Sequence, residues 1–359
     1  MRVSEVAVRN FRNWERAEVE LAPGLTVVRG PVGAGKTSLL EAIYFGCVGR
    51  SCKTSNDREM VRFGADAARV VITTANGSVQ HRLEAAVEVG RGKAFKVDGA
   101  RRERLADAAE RPLVSVFMPD RLELVKGAAG TRRAHLDALV TALWPTRQST
   151  RAAYGRALVQ RNSLVARARS GAAPASALAG WDRELARHAV ALIADRTAAL
   201  ELASRTFAER AAQLGLPGSA EIAYKPRSSA TTTEQFESEL SAALENDLQR
   251  GFTTHGPHRD ELSLRVAGRE LRRYGSQGQQ RLGLLALLLA ERDALERERG
   301  STPVLLLDDV LSELDVERRG RLVELLLDGG QALITTADPA AADIEAATPL
   351  VVNEGAIDA

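Results

Sequence analysis

Residues 25–38 read LTVVRGPVGAGKTS, an apolar strand that runs directly into a glycine-rich loop and the start of a helix. The loop fits the phosphate-binding pattern G-x-x-x-x-G-K-[ST], with its fixed positions at residues 30, 35, 36 and 37. In such a loop backbone N–H groups cradle phosphates, the lysine reaches the β- and γ-phosphates, and the hydroxyl binds Mg²⁺. The helix that follows points its positive N-terminus at the same anion. The stretch therefore predicts a nucleotide and Mg²⁺ site formed by Gly30, Pro31, Val32, Gly33, Ala34, Gly35, Lys36, Thr37 and Ser38.

The composition is that of a globular protein with one large core or two ordinary ones. The chain has 359 residues, of which 45% are hydrophobic and 27% charged. Its longest apolar run, 282–290, is too short to span a bilayer, and the N-terminus has no signal-peptide pattern. Cys47 and Cys52 lack metal-type spacing. We therefore expect a cytoplasmic protein without a membrane partner.

The positive charge is concentrated in one segment. The net charge is only +2, but residues 101–169 hold 13 Arg and one Lys against six acidic residues. Because guanidinium groups suit phosphate oxygens, this clustering suggests a polyanion partner, with a merely solvated basic surface as the alternative. The candidate residues for contact with this polyanion are Arg132, Arg133, Arg147, Arg151, Arg156 and Arg161.

The pattern along the chain predicts an α/β head interrupted by a helical insertion. We expect a head from residues 1–125 and 251–359, with a helical arm over 126–250. The predicted strands are 25–29, 69–74, 79–89, 94–97, 113–117, 261–266, 270–274, 303–307 and 332–335, with a short extended segment near Val3. The predicted helices are 132–143, 148–169, 181–214, 234–250, 277–297 and 316–327, and 215–233 is expected to be loose. The sequence contains no sustained heptad repeat, so we expect no long coiled coil.

A second acidic motif complements the loop. Residues 304–309 read VLLLDD, a buried strand followed by two carboxylates at its C-terminal end, where open α/β sheets place their ligands. Asp308 is expected to hold Mg²⁺, and Asp309 to polarise the attacking water. The predicted catalytic residues are therefore Asp309, Lys36 and Asp308.

A third motif precedes a long helix. In residues 274–280, YGSQGQQ, the spacing of Ser276 and Gln279 is that of a capping box. A glycine-flanked helix N-terminus also exposes N–H groups to an anion. The residues alone leave a simple cap and a second anion site equally open.

In this order the motifs resemble those of ABC-type ATPases, and more closely those of the RecF family of DNA-repair proteins. Besides the loop, the insertion, the SQGQ motif and LLLDD, the resemblance rests on residues 10–13, 132–137, 160–162, 254–260 and 312–315. It implies an ABC-type ATPase head, with a P-loop parallel sheet, an antiparallel β part and a helical arm between the P-loop and the signature motif.

The resemblance also implies roles for particular residues. Ser276, Gly278 and Gln279 would close over ATP held by a second copy, and Asp315 would cross the interface of an ATP-dependent homodimer. Asp309 stands where many relatives have Glu, so turnover should be slow. The usual switch histidine is missing, with residues 335–338 in its place.

Two further sites remain open at the level of sequence. Arg12 and Asn13 are candidates for contact with the adenine or the α-phosphate, with a solvated turn as the alternative. The H-x-x-H pair at His255 and His258 suggests either a metal site or loop structure beside the nucleotide, and the second is favoured.

The function implied is an ATP-dependent DNA clamp acting in recombinational repair, replication and the SOS response. It would bind single-stranded, gapped or junction DNA, help to load recombinase with other mediator proteins, and reset through weak DNA-stimulated ATP hydrolysis. The alternatives are the nucleotide-binding subunit of a membrane transporter, an SMC-type structural ATPase and a nucleotide switch that does not hydrolyse ATP.

Overall fold

The computed structural model describes residues 1–338, 344–353 and 356–358, which form two compact units. The first comprises Met1–Arg121, Gln213–Gly215 and Leu295–Ala359, and the second Leu122–Ala212 and Leu216–Ala294. The domain organisation expected above, with its boundaries after residues 125 and 250, stays a prediction.

The strands of the described chain are β1 (Arg2–Phe11), β2 (Trp14–Glu20), β3 (Leu25–Arg29), β4 (Ala67–Asn76), β5 (Val79–Glu88), β6 (Gly92–Val97), β7 (Ala100–Arg102), β8 (Val114–Phe117), β9 (Ala220–Lys225), β10 (Glu261–Val266), β11 (Arg269–Glu270), β12 (Val304–Asp308), β13 (Ala332–Thr336), β14 (Thr348–Asn353) and β15 (Ala356–Asp358). Its α-helices are α1 (Lys36–Val48), α2 (Glu123–Lys126), α3 (Ala129–Leu143), α4 (Gln148–Arg169), α5 (Ala179–Gln213), α6 (Thr233–Arg250), α7 (Leu271–Tyr274), α8 (Gln277–Arg299) and α9 (Val316–Leu327).

The first unit contains a largely parallel sheet of order β15-β14-β3-β13-β12-β8, in which only the β14–β15 pair is antiparallel. Strands β12 and β13 are buried along their whole length, as their runs of aliphatic side chains predict for strands covered on both faces. Because β3, β13 and β12 are parallel, their carboxyl ends meet at one edge of the sheet. This order brings residues 30–35 and Asp308 to the same edge.

An antiparallel sheet of order β2-β1-β4-β5-β6-β7 completes the β structure of the first unit. Its apolar side chains share one core with those of α1 and the parallel sheet. Gly46 of α1 allows a close approach, since a β-carbon there would collide with Ile72 and contact Val70 on β4. The helix that starts at the phosphate-binding loop is therefore anchored by packing.

The second unit combines helices α3–α6 with a small antiparallel sheet of order β11-β10-β9. One of its cores gathers Tyr154 from α4, Leu185 and Ala189 from α5, and Phe236 and Leu240 from α6. The predicted parallel sheet, antiparallel part and helical insertion are all present.

The structure differs from the sequence predictions at several elements, including β7, β14 and β15, for which the sequence predicted no strand. Residues 14–20 form β2, and the segment expected to be loose contains β9, which pairs with β10. The strand expected at 270–274 is wrong: only Glu270 continues β11, and α7 follows, closed by a bond from the Gly275 N–H to the Leu271 carbonyl. The strand β9 forms because it pairs with the distant β10, and α7 forms because residues 271–275 close a local helical turn. None of the helices in the described residues is both long and apolar enough to cross a membrane.

Candidate nucleotide site

Three glycines of the phosphate-binding loop adopt backbone conformations that other residues could adopt only with strain. Gly30, Gly33 and Gly35 have φ angles of 155°, 84° and 113°, a region that side chains rarely adopt. A β-carbon at Gly30 would also collide with the Val352 carbonyl, and one at Gly35 with the side chains of Asn13 and Trp14. Gly35 caps α1 without a side-chain hydrogen bond, which leaves the helix N-terminus to a ligand. The loop thus fits the phosphate cradle predicted from the sequence.

Lys36 lies across the beginning of this loop. Its Nζ donates hydrogen bonds to the carbonyls of Gly30 at 2.7 Å and Pro31 at 2.8 Å. Burial lowers the pKa of the ammonium, while the nearby Asp309 and Asp308 carboxylates act in the opposite direction. The loop therefore holds one positive charge where phosphate oxygens would enter.

Thr37 and Asp308 meet at the carboxyl edge of the sheet. The Thr37 hydroxyl lies 2.8 Å from Asp308 Oδ1 and 3.0 Å from Oδ2. Oxygen donors of this kind are the ligands Mg²⁺ prefers, together with phosphates and water. The donor set fits the predicted Mg²⁺ site.

Asp309 occupies an unusual backbone conformation directly after β12. Its φ angle is 49°, in the left-handed region, which is energetically unfavourable for any residue with a side chain. Residues held in this conformation are concentrated at functional sites. Its N–H donates to Oγ1 of Thr335 at 3.0 Å, and the Thr335 hydroxyl donates to Asp308 Oδ1 at 2.7 Å. Sequence reasoning missed Thr335 as a partner of the two acids; the signal was a hydroxyl residue at the end of the neighbouring strand.

Arg12 lies in the turn between β1 and β2. Its φ angle is 55°, and its guanidinium donates to both carboxylate oxygens of Glu41 at 2.7 Å and to the Glu59 carbonyl at 2.7 Å. The hydrogen bond to Glu41 raises the pKa of Arg12. These contacts make Arg12 a brace between this turn and α1, and its contact with a nucleotide stays a prediction.

The next two residues support the loop from behind. Asn13 Nδ2 donates to the Ala34 carbonyl at 3.3 Å, and Trp14 Nε1 donates to the Gly35 carbonyl at 3.3 Å. Trp14 is completely buried. Sequence reasoning did not single out Trp14, although a tryptophan directly after the 10–13 segment was the available signal.

The signature segment forms the reciprocal cap expected of a helix start. Ser276 Oγ accepts from the Gln279 N–H at 3.2 Å, and Gln279 Oε1 accepts from the Ser276 N–H at 2.9 Å. Ser276 itself is exposed, and a β-carbon at Gly278 would come no closer than 4.0 Å to the Ser276 hydroxyl. The capping role is present, and a second role for Ser276, Gly278 and Gln279 in binding an anion stays a prediction.

Asp315 also acts as a helix cap. Its carboxylate accepts from the Arg318 N–H at 2.9 Å and pairs with the Arg318 guanidinium at 3.0 Å, at the start of α9. More than half of the Asp315 side chain is exposed. Its predicted position at a dimer interface stays a prediction.

Comparison with known proteins identifies the family. The model of the RecF/RecN/SMC N-terminal domain matches residues 2–348. A DNA replication and repair protein RecF of Streptomyces avermitilis is 36% identical over 373 residues, with both chains covered completely. The chain belongs to the RecF family. A RecF of Symbiobacterium thermophilum is 34% identical and covers 94% of this chain and 92% of its own.

Solved structures support the same RecF fold. The recombination mediator protein RecF–ATP of the RecFOR pathway superposes with a TM-score of 0.88 at 28% identity, covering 99% of this chain and 97% of that one. An Smc head bound to the C-terminal winged-helix domain of ScpA gives a TM-score of 0.60 at 15% identity, which supports the fold alone. The predicted fold class, an ABC-type ATPase head with a helical arm, is confirmed.

Three of the segments that carried the resemblance to RecF proteins, 132–137, 160–162 and 254–260, lie in the second unit. The fully buried Arg161 pairs with Asp182 at 2.6 Å and with Asp247 at 2.6 Å, and donates to Thr253 Oγ1 at 2.8 Å. Asn162 accepts from the Thr253 N–H at 2.8 Å. The arginine of this segment therefore organises a buried polar network.

A second buried arginine joins the segments 132–137 and 254–260. Arg196 of α5 pairs with both carboxylate oxygens of Asp137, at 2.8 and 3.2 Å, and with Asp260 at 3.1 Å. It also donates to the Pro257 carbonyl at 2.8 Å. Sequence reasoning missed Arg196, because one arginine in a long amphipathic helix gives no signal of its distant partners.

The side chains of the candidate DNA-binding arginines differ in how much of their surface is exposed. Arg161 has no exposed surface, and the buried Arg132 pairs with Glu261 at 2.6 Å, so neither side chain offers a surface to DNA. This removes both from the expected set. The remaining candidates also have protein partners or neighbours: Arg133 donates to the Asp260 carbonyl, Arg147 pairs with Asp195, Arg151 pairs with Asp137, and Arg156 lines a cavity of about 710 Å³ between α4 and α5. Arg151 and Arg156 remain exposed, and Arg147 is partly exposed.

The two histidines of the H-x-x-H segment are held by protein partners. His258 contacts the Tyr154 hydroxyl at 2.7 Å and the Thr253 carbonyl at 3.0 Å, and burial lowers the pKa of His258 to about 4. His255 contacts Glu239 at 2.7 Å. Within the described ranges no group of three or more His, Cys, Asp or Glu side chains is arranged to hold a metal. The histidine contacts fit a structural role within this segment, and its predicted place beside the nucleotide stays a prediction.

Proposed function

We propose that this protein is an ATP-dependent DNA-binding protein of recombinational repair, in which ATP joins two copies on DNA. The observation that carries the proposal is the hydrogen bond from the Thr37 hydroxyl, at the end of the phosphate-binding loop, to Asp308. Its relatives named DNA replication and repair protein RecF, and the RecF–ATP structure, support the same function. The transporter alternative is not carried forward, because these relatives span the whole chain.

Residues of the first unit would bind the nucleotide. The N–H groups of residues 30–35 and Lys36 would hold the phosphates, while Thr37 and Asp308 would hold Mg²⁺, which supplies charge neutralisation at the β- and γ-phosphates. Arg12 and Asn13 would shape the adenine side of the site. The glycine conformations and the Thr37–Asp308 contact support this assignment.

Asp309 would accept the proton of the attacking water. Its carboxylate is one methylene shorter than the Glu common at this position, so it reaches a water less easily and we expect slow turnover. The protein would then act mainly as a switch, with hydrolysis, stimulated by DNA, ending the ATP-bound state.

The signature residues would complete the site of the second copy. Ser276 is exposed, and Gly278 leaves open space beside it. Ser276, Gly278 and Gln279 of one copy would close over the γ-phosphate held by the other, with Asp315 at the interface. ATP would thereby act as the bond between two heads.

The exposed arginines of α4, and the partly exposed arginine of the turn before it, would contact the DNA backbone. Arg147, Arg151 and Arg156 are the candidates that remain after burial removes Arg132 and Arg161, and Arg133 contributes its exposed part. Because such contacts displace counterions, binding should weaken steeply with salt. We propose single-stranded, gapped or junction DNA as the substrate, recombinase loading and the SOS response as the setting, and other recombination mediators as partners.

Sedimentation with a gapped DNA tests this proposal directly. We expect ATP and Mg²⁺ to produce a dimer and to increase DNA binding, with an affinity that falls as salt rises. The double change Arg147→Ala with Arg156→Ala should weaken DNA binding. It should also reduce the slope of log affinity against log salt concentration by about two, one for each lost phosphate contact. Arg91→Ala, an exposed arginine of the first unit, is the matched control. Absence of ATP-dependent association, or a salt-independent affinity, would contradict the proposal.

A further inference from the structure

One buried hydroxyl links the two acids of the candidate ATPase site. Thr335 lies on β13, between β3, which leads into the phosphate-binding loop, and β12, which leads into Asp308 and Asp309. In the sheet register Thr335 is opposite Asp308 on one side and Val28 on the other. It is completely buried.

The hydrogen bonds of this hydroxyl have a fixed direction. The Asp309 N–H can only donate, so Thr335 Oγ1 accepts there, at 3.0 Å. A hydroxyl has a single proton, and this proton is given to Asp308 Oδ1 at 2.7 Å. Thr335 therefore orients the carboxylate of the predicted Mg²⁺ ligand and the backbone of the predicted base at once.

The backbone bond matters because of the conformation of Asp309. A residue other than glycine at a φ angle of 49° persists only where its surroundings hold it. The bond from the Asp309 N–H to Thr335 is one such restraint, and it fixes the direction in which the Asp309 side chain leaves the strand. The neighbouring Thr336 does not share this role, since its hydroxyl accepts from the Asp338 N–H in a local turn at 3.1 Å.

We propose that Thr335 is a positioning residue of the ATPase site, which couples the Mg²⁺ carboxylate of Asp308 to the orientation of Asp309. The inference rests on the proposed function and adds to it a residue that contacts neither nucleotide nor metal. Groups that orient metal ligands in this way are commonly worth about 10–100-fold in metal affinity or activity.

Thr335→Val tests the inference, because valine keeps the shape and removes the hydroxyl. We expect kcat to fall by about 10–100-fold and the Mg²⁺ midpoint for binding a fluorescent ATP analogue to rise by about tenfold. Binding of the analogue at saturating Mg²⁺ should change little, since the loop and Lys36 are untouched. Thr335→Ser should restore both values to near those of the unchanged protein.

The matched control is Thr26→Val on β3. Thr26 is equally buried, and its hydroxyl has no hydrogen-bond partner among the residues that the structure describes. The same replacement on this adjacent strand should leave kcat and the Mg²⁺ midpoint unchanged. It separates loss of the Thr335 hydrogen bonds from a general effect of valine in the sheet.

The outcomes distinguish the inference from the proposed function. If the unchanged protein neither binds the analogue with Mg²⁺ nor hydrolyses ATP, the proposed function fails. If it does both and Thr335→Val retains its kcat and Mg²⁺ midpoint, the inference is overturned. Equal impairment of Thr335→Ser and Thr335→Val would also overturn it, and Thr335→Ala replaces the valine variant if that chain does not fold.

Discussion

The hydroxyl of Thr37 lies 2.8 Å from a carboxylate oxygen of Asp308, although 271 positions separate the two residues in the chain. The order β3-β13-β12 produces this contact, because the strands are parallel and end at the same edge. The whole helical insertion and the signature segment lie between them in sequence. Both halves of the candidate nucleotide site therefore belong to one compact unit, built from its two ends.

Removing the Thr37 hydroxyl should weaken the Mg²⁺ site. We expect Thr37→Ala to raise the Mg²⁺ concentration needed for ATP binding by about 10–100-fold, since one oxygen ligand is lost. Thr37→Ser keeps the hydroxyl and should retain most of the affinity. Calorimetric titration with ATP at several Mg²⁺ concentrations measures the effect, and an Mg²⁺ dependence unchanged in Thr37→Ala would exclude the assignment.

Neutralising Asp309 should slow hydrolysis without preventing ATP binding. We expect Asp309→Asn to lower kcat by about 10²–10⁴-fold, the usual contribution of a positioned base. The ATP-bound dimer should then persist longer, because hydrolysis ends it. Phosphate release and sedimentation measure the two effects, and unchanged turnover would show that another group accepts the proton.

A bulky cation at Ser276 should prevent closure of two heads. We expect Ser276→Arg to bind ATP as well as the unchanged protein does, because the phosphate-binding loop is intact, but to remain a monomer with ATP. Ser78→Arg, at an exposed turn of the first unit, is the control and should still dimerise. An ATP-dependent dimer of Ser276→Arg would place the interface elsewhere.

Trp14 should influence ATP affinity through the Gly35 carbonyl. Trp14→Phe removes the indole donor but keeps most of the buried ring, so we expect weaker ATP binding with a modest loss of stability. Trp14→Ala should lower the free energy of unfolding by about 3–5 kcal/mol, the range for deleting a buried aromatic side chain. Trp181→Phe is the control, and thermal unfolding with ATP titration measures both quantities. Equal ATP affinity of Trp14→Phe and the unchanged protein would limit Trp14 to a packing role.

The buried His258 should make the protein less stable in acid. Burial lowers the pKa of His258 from 6.5 to about 4 in the folded chain, so the unfolded chain binds the proton more readily between these values. The stabilisation is present above pH 6.5 and is lost as the pH falls towards 4. Between pH 7.5 and 5 this amounts to about 2 kcal/mol of unfolding free energy.

Urea unfolding at the two pH values measures this loss, with His258→Gln as the comparison. The glutamine variant cannot take up the proton, so its stability should fall by about 2 kcal/mol less over the same interval. An identical fall in both proteins would show that His258 does not titrate in this range. His258 faces Tyr154, the Thr253 carbonyl, Arg259, Arg133 and Asp247, and these groups are unchanged in the comparison.

Much of the candidate site could be predicted because its signals are local. The spacing of Gly30, Gly35, Lys36 and Thr37, and the run before Asp308, each fit within a short window, and the structure places them together. The helix α9 was predicted with its observed bounds, because its apolar periodicity starts at a capping aspartate and ends with the pattern. The strand β9 could not be predicted, since its six residues depend on pairing with β10.

The arginines illustrate the limit of sequence reasoning most clearly. Arg156 and Arg161 are five residues apart on α4 and identical in type, yet the first is exposed and the second is completely buried. Burying the Arg161 charge is possible only because Asp182, Asp247 and Thr253 offset its desolvation. These three partners come from two other helices and a loop. A charge count assigns both residues to one basic surface.

The sequence by itself determined the chemistry of this protein: a phosphate-binding loop, a strand that ends in two acids, and a capped helix at the signature segment. These follow from short-range spacing, because backbone conformation and side-chain type act over a few residues. The tertiary structure alone decided which groups cooperate. Thr335 reaches both acids, Trp14 supports the loop, and Arg161 leaves the surface because strand register and helix packing join residues that the chain keeps far apart.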